Sequence, residues 1–220
     1  SDVCSSDLDT AGWINNKPTA VKAGAITQKN TSIEIPVLIE DVDLPRDTHN
    51  LSVVSQGSYG TVSIVSGKLI YNPQTGFSGV DGFVVRATDH EGGFVDGNVL
   101  VAVTDPVVRT DLMVATQGDF KSKVVLSWSD IAVGDRTGYQ FRNEIKAKQT
   151  DGSYLLIESN SSGLSYTDTR NALTIEKRYK DKPVQYRVDT YVKIPHVTEE
   201  ALLVKMGDET GWINSPPVVT

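Results

Sequence analysis

Leu69-Ile70-Tyr71-Asn72-Pro73 and, after a short interval, Gly76-Phe77-Ser78-Gly79-Val80-Asp81-Gly82-Phe83-Val84-Val85-Arg86-Ala87 carry the pattern on which the fold of this chain turns. Leu69 and Tyr71 alternate with other residues, as do Phe83, Val85 and Ala87, which is the two-residue period of a half-buried strand. Asn72-Pro73, Gly76 and Gly79 lie between them and favour turns, so the stretch reads strand, turn, strand. The rhythm continues outward. Ile33, Ile35, Val37 and Ile39 alternate over one short run, Leu51/Val53 and Val62/Ile64 over two more, and Val99, Val101 and Val103 over another. Turn residues at Gly57, Gly60, Ser66-Gly67 and Gly92-Gly93 separate these runs at the spacing of an all-β sandwich.

Asp105-Pro106 closes this first block, and a second follows with Val124/Leu126/Trp128, Tyr139/Phe141, Leu155/Ile157, Tyr166 and Tyr186/Val188. Polar turns such as Asp151-Gly152 punctuate it. Trp128 reads as core, because large aromatics dominate sandwich interiors. Thr198 to Met206 fits a turn or two of helix or, by its Leu202-Leu203-Val204 centre, a strand. With 220 residues, the chain has room for two domains, each able to bury its own core.

Gly12-Trp13-Ile14-Asn15 with Pro18 returns as Gly211-Trp212-Ile213-Asn214 with Pro217, at a constant separation of 199 positions (12 to 211, 18 to 217). An acid and a threonine precede each copy, Asp9-Thr10 and Glu209-Thr210. Recurrence at a fixed period is the mark of a tandem array, here one full period of a longer polypeptide. Residues 1–8, Ser1-Asp2-Val3-Cys4-Ser5-Ser6-Asp7-Leu8, are what TCA GAC GTG TGC TCT TCC GAT CTN encodes. That string looks like a short-read library adapter, so we read residues 1–8 as an artefact of assembled environmental DNA and exclude them from fold reasoning. Cys4 goes with them. The rest of the chain has no cysteine for a disulfide, a thiolate ligand or a thiol nucleophile.

Net charge is −7, or about −5 without Asp2 and Asp7. That balance argues against nucleic acid as a partner, since phosphate binding needs clustered Lys and Arg. No apolar run approaches the ~20 residues that span a bilayer, so no membrane insertion is expected in this segment.

Residues 16–105 resemble a bacterial cadherin-like or Ig-like surface repeat. The resemblance is carried by Asn16-Lys17-Pro18, Glu40-Asp41-Val42-Asp43, Tyr59-Gly60-Thr61-Val62, Leu69 to Pro73, Gly76 to Phe83 and Ala87-Thr88-Asp89. Residues 106–214 resemble a bacterial fibronectin type III domain. Here the carriers are Ala115-Thr116-Gln117-Gly118, Lys123 to Trp128, Gly138-Tyr139, Tyr154 to Ile157, Ser165 to Asp168, Tyr186-Arg187-Val188 and Asp208 to Trp212. Asn143 to Gln149 and Lys193 to Lys205 depart from that pattern as longer or irregular stretches. No Arg-Gly-Asp motif occurs. On this reading residues 9–15 are the tail of a preceding fibronectin-like domain and 215–220 open the next repeat. The fold class implied is all-β, two tandem β-sandwich domains, cadherin/Ig-like and then fibronectin type III-like.

The acidic segment Glu40-Asp41-Val42-Asp43-Leu44-Pro45-Arg46-Asp47 is the one candidate for chemistry. Crowded carboxylates repel one another, and calcium relieves this by taking six to eight oxygen ligands. In the resembling repeats such aspartates hold calcium near a domain end, which implies Asp41, Asp43, Asp47 and Asp89 as ligands and calcium as the only cofactor. The competing reading is an Asp-rich solvated turn, with Asp81 and Asp89 bonding turn amides. No EF-hand spacing is present, and Arg46 supplies a competing charge.

Catalytic patterns are missing from the sequence. His49 and His90 lie in polar turns and His196 follows Ile194-Pro195, all three reading as surface histidines outside any zinc-spaced or nucleophile-elbow motif. Gly92-Gly93 and Gly57-x-x-Gly60 lack the strand-loop-helix setting of a phosphate loop. The expectation is therefore no enzyme. The segment reads as a non-catalytic stalk or adhesion module of a large secreted or cell-surface bacterial protein, with an accessory spacer or carbohydrate-contacting module of a secreted hydrolase as the alternative. Its partners would be neighbouring repeats and a host-surface protein or glycan, with 143–149 and 193–200 as the loops to contact a ligand.

Overall fold

A computed structural model of the chain describes residues 14–109, 111–115, 124–129, 138–149, 151–160, 163–168 and 184–211, with the backbone alone at 106, 160, 168 and 208–210. The readings of residues 1–8, 9–13, 116–118 and 215–220, and most of both copies of the recurring tetrapeptide, lie outside the described residues. Every regular element among the described residues is a strand. Two compact units result, Ser1–Val103 with Ile194–Thr198, and Thr104–Lys193 with Glu199–Thr220.

The first unit is built from β1 (Ala20–Gln28), β2 (Ile33–Ile35), β3 (Val37–Glu40), β4 (Asn50–Ser55), β5 (Gly60–Val65), β6 (Lys68–Pro73), β7 (Gly79–Thr88) and the first part of β8 (Phe94–Arg109). One sheet has the order β3-β1-β8-β7-β4, the other β2-β6-β5. The expected single run from Ile33 to Ile39 is two strands. β2 pairs with β6 (Ile33 opposite Tyr71) in the small sheet, whereas β3 pairs with β1 (Val37 opposite Ala23) in the large one. Pro36 is the crossing point, because a residue without an N–H ends the ladder of one sheet and frees the chain to join the other. Ile33, Ile35, Val37 and Ile39 still all reach one core, together with Val62, Leu69, Phe83, Val85, Val99 and Val101. The tight β5–β6 hairpin turns at Ser66 (φ 52°) and Gly67 (φ 77°), the two positive-φ positions that suit the twist of paired strands.

The signature stretch supplies the joint between these sheets. Tyr71, fully buried on β6, stacks on Phe83 of β7 with ring centroids 6.0 Å apart. Its hydroxyl donates to Asp81 Oδ2 at 2.8 Å. Burial and the neighbouring carboxylate push the Tyr71 phenol far up, which keeps it a donor. Asp81 also accepts the backbone amides of Ser58 (2.9 Å), Tyr59 (3.0 Å) and Gly82 (3.0 Å). A side chain at Gly57 would collide with the Asp81 carboxylate and one at Gly60 with the Tyr71 ring, so Gly57-x-x-Gly60 is a close-approach motif. Tyr59 closes the loop by stacking on Phe77 at 4.5 Å.

The second unit contains β9 (Met113–Ala115), β10 (Val124–Trp128), β11 (Gln140–Lys148), β12 (Tyr154–Asn160), β13 (Ser165–Asp168), β14 (Val184–Lys193) and β15 (Ala201–Gly211). One sheet has the order β13-β10-β9, and the other runs β12-β11-β14-β15 and then the end of β8. Leu126, Trp128, Ile145, Tyr186, Val188 and Met206 fill the space between them. One expectation changes here, that of an insertion at Asn143 to Gln149. β8 runs on through Asp105-Pro106 to Arg109, its end parallel to β15 with a register shift between Val204 and Lys205. Asn143 to Gln149 is no inserted loop, since β11 runs through Lys148 with one irregularity against β12 at Ile145/Lys146. Of the two readings open for Thr198 to Met206 the strand holds, because Ala201 onward pairs with β14. On the outer face of this sheet Glu144 meets Lys146 (2.7 Å) and Arg142 (2.5 Å), and Lys146 also reaches Asp189 (2.5 Å).

Two consequences can be measured. Asp81→Ala strands two loop amides and a buried hydroxyl, and should cost about 3 kcal/mol in urea unfolding, against about 1 kcal/mol for Tyr71→Phe. Equal losses would show that the carboxylate does not organise the loop. In the second unit burial acts to raise the Glu144 carboxyl, but its hydrogen bonds to Lys146 and Arg142 outweigh this and hold it below the ordinary value. A depressed carboxyl stabilises the fold above its unfolded pKa of about 4.3, and that contribution is lost as pH falls through the folded value. Urea midpoints should therefore drop on acidification below about pH 4.3, and Glu144→Gln should lower the midpoint at neutral pH while flattening this drop.

Candidate functional site: an aspartate and histidine cluster

The connection from β3 to β4 carries Asp41, Asp43, Asp47 and His49. It turns because the Asp43 carbonyl accepts the amides of Arg46 (2.9 Å) and Asp47 (3.3 Å), while Asp41 Oδ1 accepts the Asp43 amide at 2.8 Å. The Leu44-Pro45 bond within it is cis, and Arg46 is exposed. This folding returns Asp47 and His49 to Asp41. His49 Nε2 lies 2.9 Å from Asp41 Oδ2 and 4.0 Å from Asp47 Oδ2. Both carboxylates are fully buried and the His49 side chain is 5% exposed. His49 is thus not the surface histidine expected.

The β7–β8 turn brings a second histidine to the same carboxylate. His90 Nδ1 is 2.5 Å from Asp47 Oδ1, which also accepts the Thr48 amide at 2.6 Å. The hydrogen bond from His90 raises that imidazole's pKa above its ordinary value. Burial opposes the charge on Asp47, yet the His90 and Thr48 hydrogen bonds prevail and hold the carboxyl below the ordinary range. His196, the third histidine, sits exposed at φ 63° on the Ile194–Thr198 segment.

The structure therefore brings together two of the four expected ligands and adds His49. Asp43 turns to the entering chain, where Oδ2 accepts the Asn16 amide at 2.6 Å. Asp89 caps its own turn: Oδ1 accepts the amides of Glu91 (3.0 Å) and Gly93 (2.7 Å), and Oδ2 accepts Asn15 Nδ2 (3.0 Å). Asp81 and Asp89 both bond turn amides, as the structural reading of these residues has it. The spacing Asp41…Asp47-Thr48-His49 was the available signal for His49, because residues two apart on an extended stretch share a side.

Residues 15–102 match the family model described as Bacterial Ig domain. The matched stretch falls within the first unit. Among solved structures the chain is similar to three N-terminal domains of the bacteriophage RB49 highly immunogenic outer capsid protein (12% identity, 91% of this chain and 71% of that one, TM-score 0.45). It is also similar to an I-band fragment of titin (11%, 94% and 71%, TM-score 0.32) and to tandem Ig repeats of Dlar (14%, 90% and 99%, TM-score 0.27). No curated protein matches the chain.

Proposed function

We propose that this chain is a non-catalytic repeat segment of a large secreted or cell-surface bacterial protein, acting as a stalk or adhesion module. The observation that carries the reading is the recurrence of Gly-Trp-Ile-Asn and a following proline after 199 positions, around an Ig-like repeat. A unit that recurs in series adds length while each copy is stabilised by its own core. The strand arrangement of the second unit, three strands against four with the end of β8 beside them, supports the fibronectin type III part of this reading. Asp41 and Asp47 remain the carboxylates through which a cation would stiffen the first repeat, whereas Asp43 and Asp89 already serve the Asn15-Asn16 entry. Neighbouring repeats are the expected partners in the chain, and a host-surface protein or glycan the partner of the whole.

Two copies of the segment joined in series test this by small-angle scattering. A stalk should nearly double its radius of gyration, while compaction into one globule gives only about a 1.3-fold increase. The latter result contradicts the proposal.

A further inference from the structure

The cluster on the β3–β4 connection has a property that a solvated acidic turn lacks. One donor atom each from Asp41, Asp47 and His49 lies within 4.8 Å of the others. Asp47 Oδ2 is buried and has no hydrogen-bond partner, although Oδ1 of the same carboxylate is fully engaged by Thr48 and His90. An ionised oxygen removed from water and left without a donor is costly, and proteins ordinarily satisfy such atoms with a donor or a cation. The unpartnered oxygen faces His49 Nε2 at 4.0 Å, too far for a hydrogen bond.

We infer that Asp41 Oδ2, Asp47 Oδ2 and His49 Nε2 form a three-ligand site for a first-row divalent cation of the zinc type. The donor set points there: one imidazole nitrogen with two carboxylate oxygens suits zinc and its neighbours, whereas calcium takes six to eight oxygens. The nearby carboxylates that could complete an oxygen cage, Asp43 and Asp89, are turned to Asn16, Asn15 and backbone amides. Zinc held at about 2.0–2.2 Å from each ligand in tetrahedral geometry separates the ligands by roughly 3.4 Å. The 2.9 Å and 4.0 Å distances to His49 Nε2 bracket that value, so these two pairs need shift by only about half an ångström, and the Asp41 and Asp47 donors lie within 4.8 Å of each other.

The surroundings fit the same assignment. The second oxygen of each carboxylate is fixed, Asp41 Oδ1 by the Asp43 amide and Asp47 Oδ1 by Thr48 and His90, the outer-shell support that orients metal ligands. Imidazole ligates in its neutral form, so the bound state needs the His49 proton on Nδ1 and the Nε2 lone pair turned to the metal. Two carboxylates, one neutral imidazole and a divalent ion sum to zero charge in a buried place. The cation would tie Asp41, just after β3, to His49, just before β4, closing the loop between them. This inference stands apart from the stalk reading, since the scattering of two copies in series does not depend on it.

The full chain, stripped with chelator, is titrated separately with zinc, calcium and magnesium while thermal unfolding is followed. Zinc at a hundredfold excess over its Kd should raise Tm by roughly 5–10 °C, with calcium and magnesium inactive at that concentration. His49→Gln should abolish the shift, and His196→Gln should keep it. Cobalt in place of zinc should give visible absorption that the His49→Gln chain lacks. If His49→Gln fails to fold, imidazole nitrogen spectra of the unaltered chain decide instead: zinc must move the His49 resonances and leave those of His196. A calcium shift that survives His49→Gln, or no zinc response in the folded chain, overturns the assignment.

Discussion

The carboxylate of Asp81 is buried at the edge of a sandwich, and the first unit is arranged so that donors converge on it. Tyr71 reaches it from the opposite sheet, Ser58 and Tyr59 from the loop between β4 and β5, and Gly82 from the following residue. The surrounding sequence follows from this constraint. Tyr71 must be buried and remain protonated, which its packing on Phe83 and its raised pKa secure. Gly57 and Gly60 must lack side chains for the loop to approach, and Phe77 must be placed to receive Tyr59. A single buried acid thereby fixes the geometry of two sheets and a loop, through hydrogen bonds that gain strength from exclusion of water.

The alternation of Leu69/Tyr71, Phe83/Val85/Ala87 and Val99/Val101/Val103 was legible because a strand with one buried face has a two-residue period whatever it pairs with. That period does not say which sheet a strand joins. Ile33 to Ile39 kept perfect alternation across a change of sheet, and only Pro36 marked the crossing. Glu144 and Lys146 made β11 resemble a polar insertion, because they lie on an outer face whose inward partners, Ile145 and Ala147, are just two residues. That β8 runs on past Pro106 beside β15 is not written locally, since the ability of a parallel partner to absorb a register shift belongs to β15.

The acidic segment was visible as a place where chemistry was available, but its membership was not. Whether an aspartate meets its neighbours or a backbone amide depends on the turn, and here the same nine residues send Asp43 outward to Asn16 and Asp47 inward to His49 and His90. Burial of His49 follows from that return of the chain, which residue type alone does not encode. The result is a histidine and two carboxylates held among fixed amides.

The central claim, that a buried carboxylate organises the first sandwich, is tested most directly by amide hydrogen exchange at Ser58 and Tyr59. Both amides lie in a loop outside any strand ladder, so only the Asp81 clamp can protect them. The account predicts protection approaching that of the core strand around Val99 and Val101. Exchange at the rate of an open loop, with that strand still protected, would contradict it.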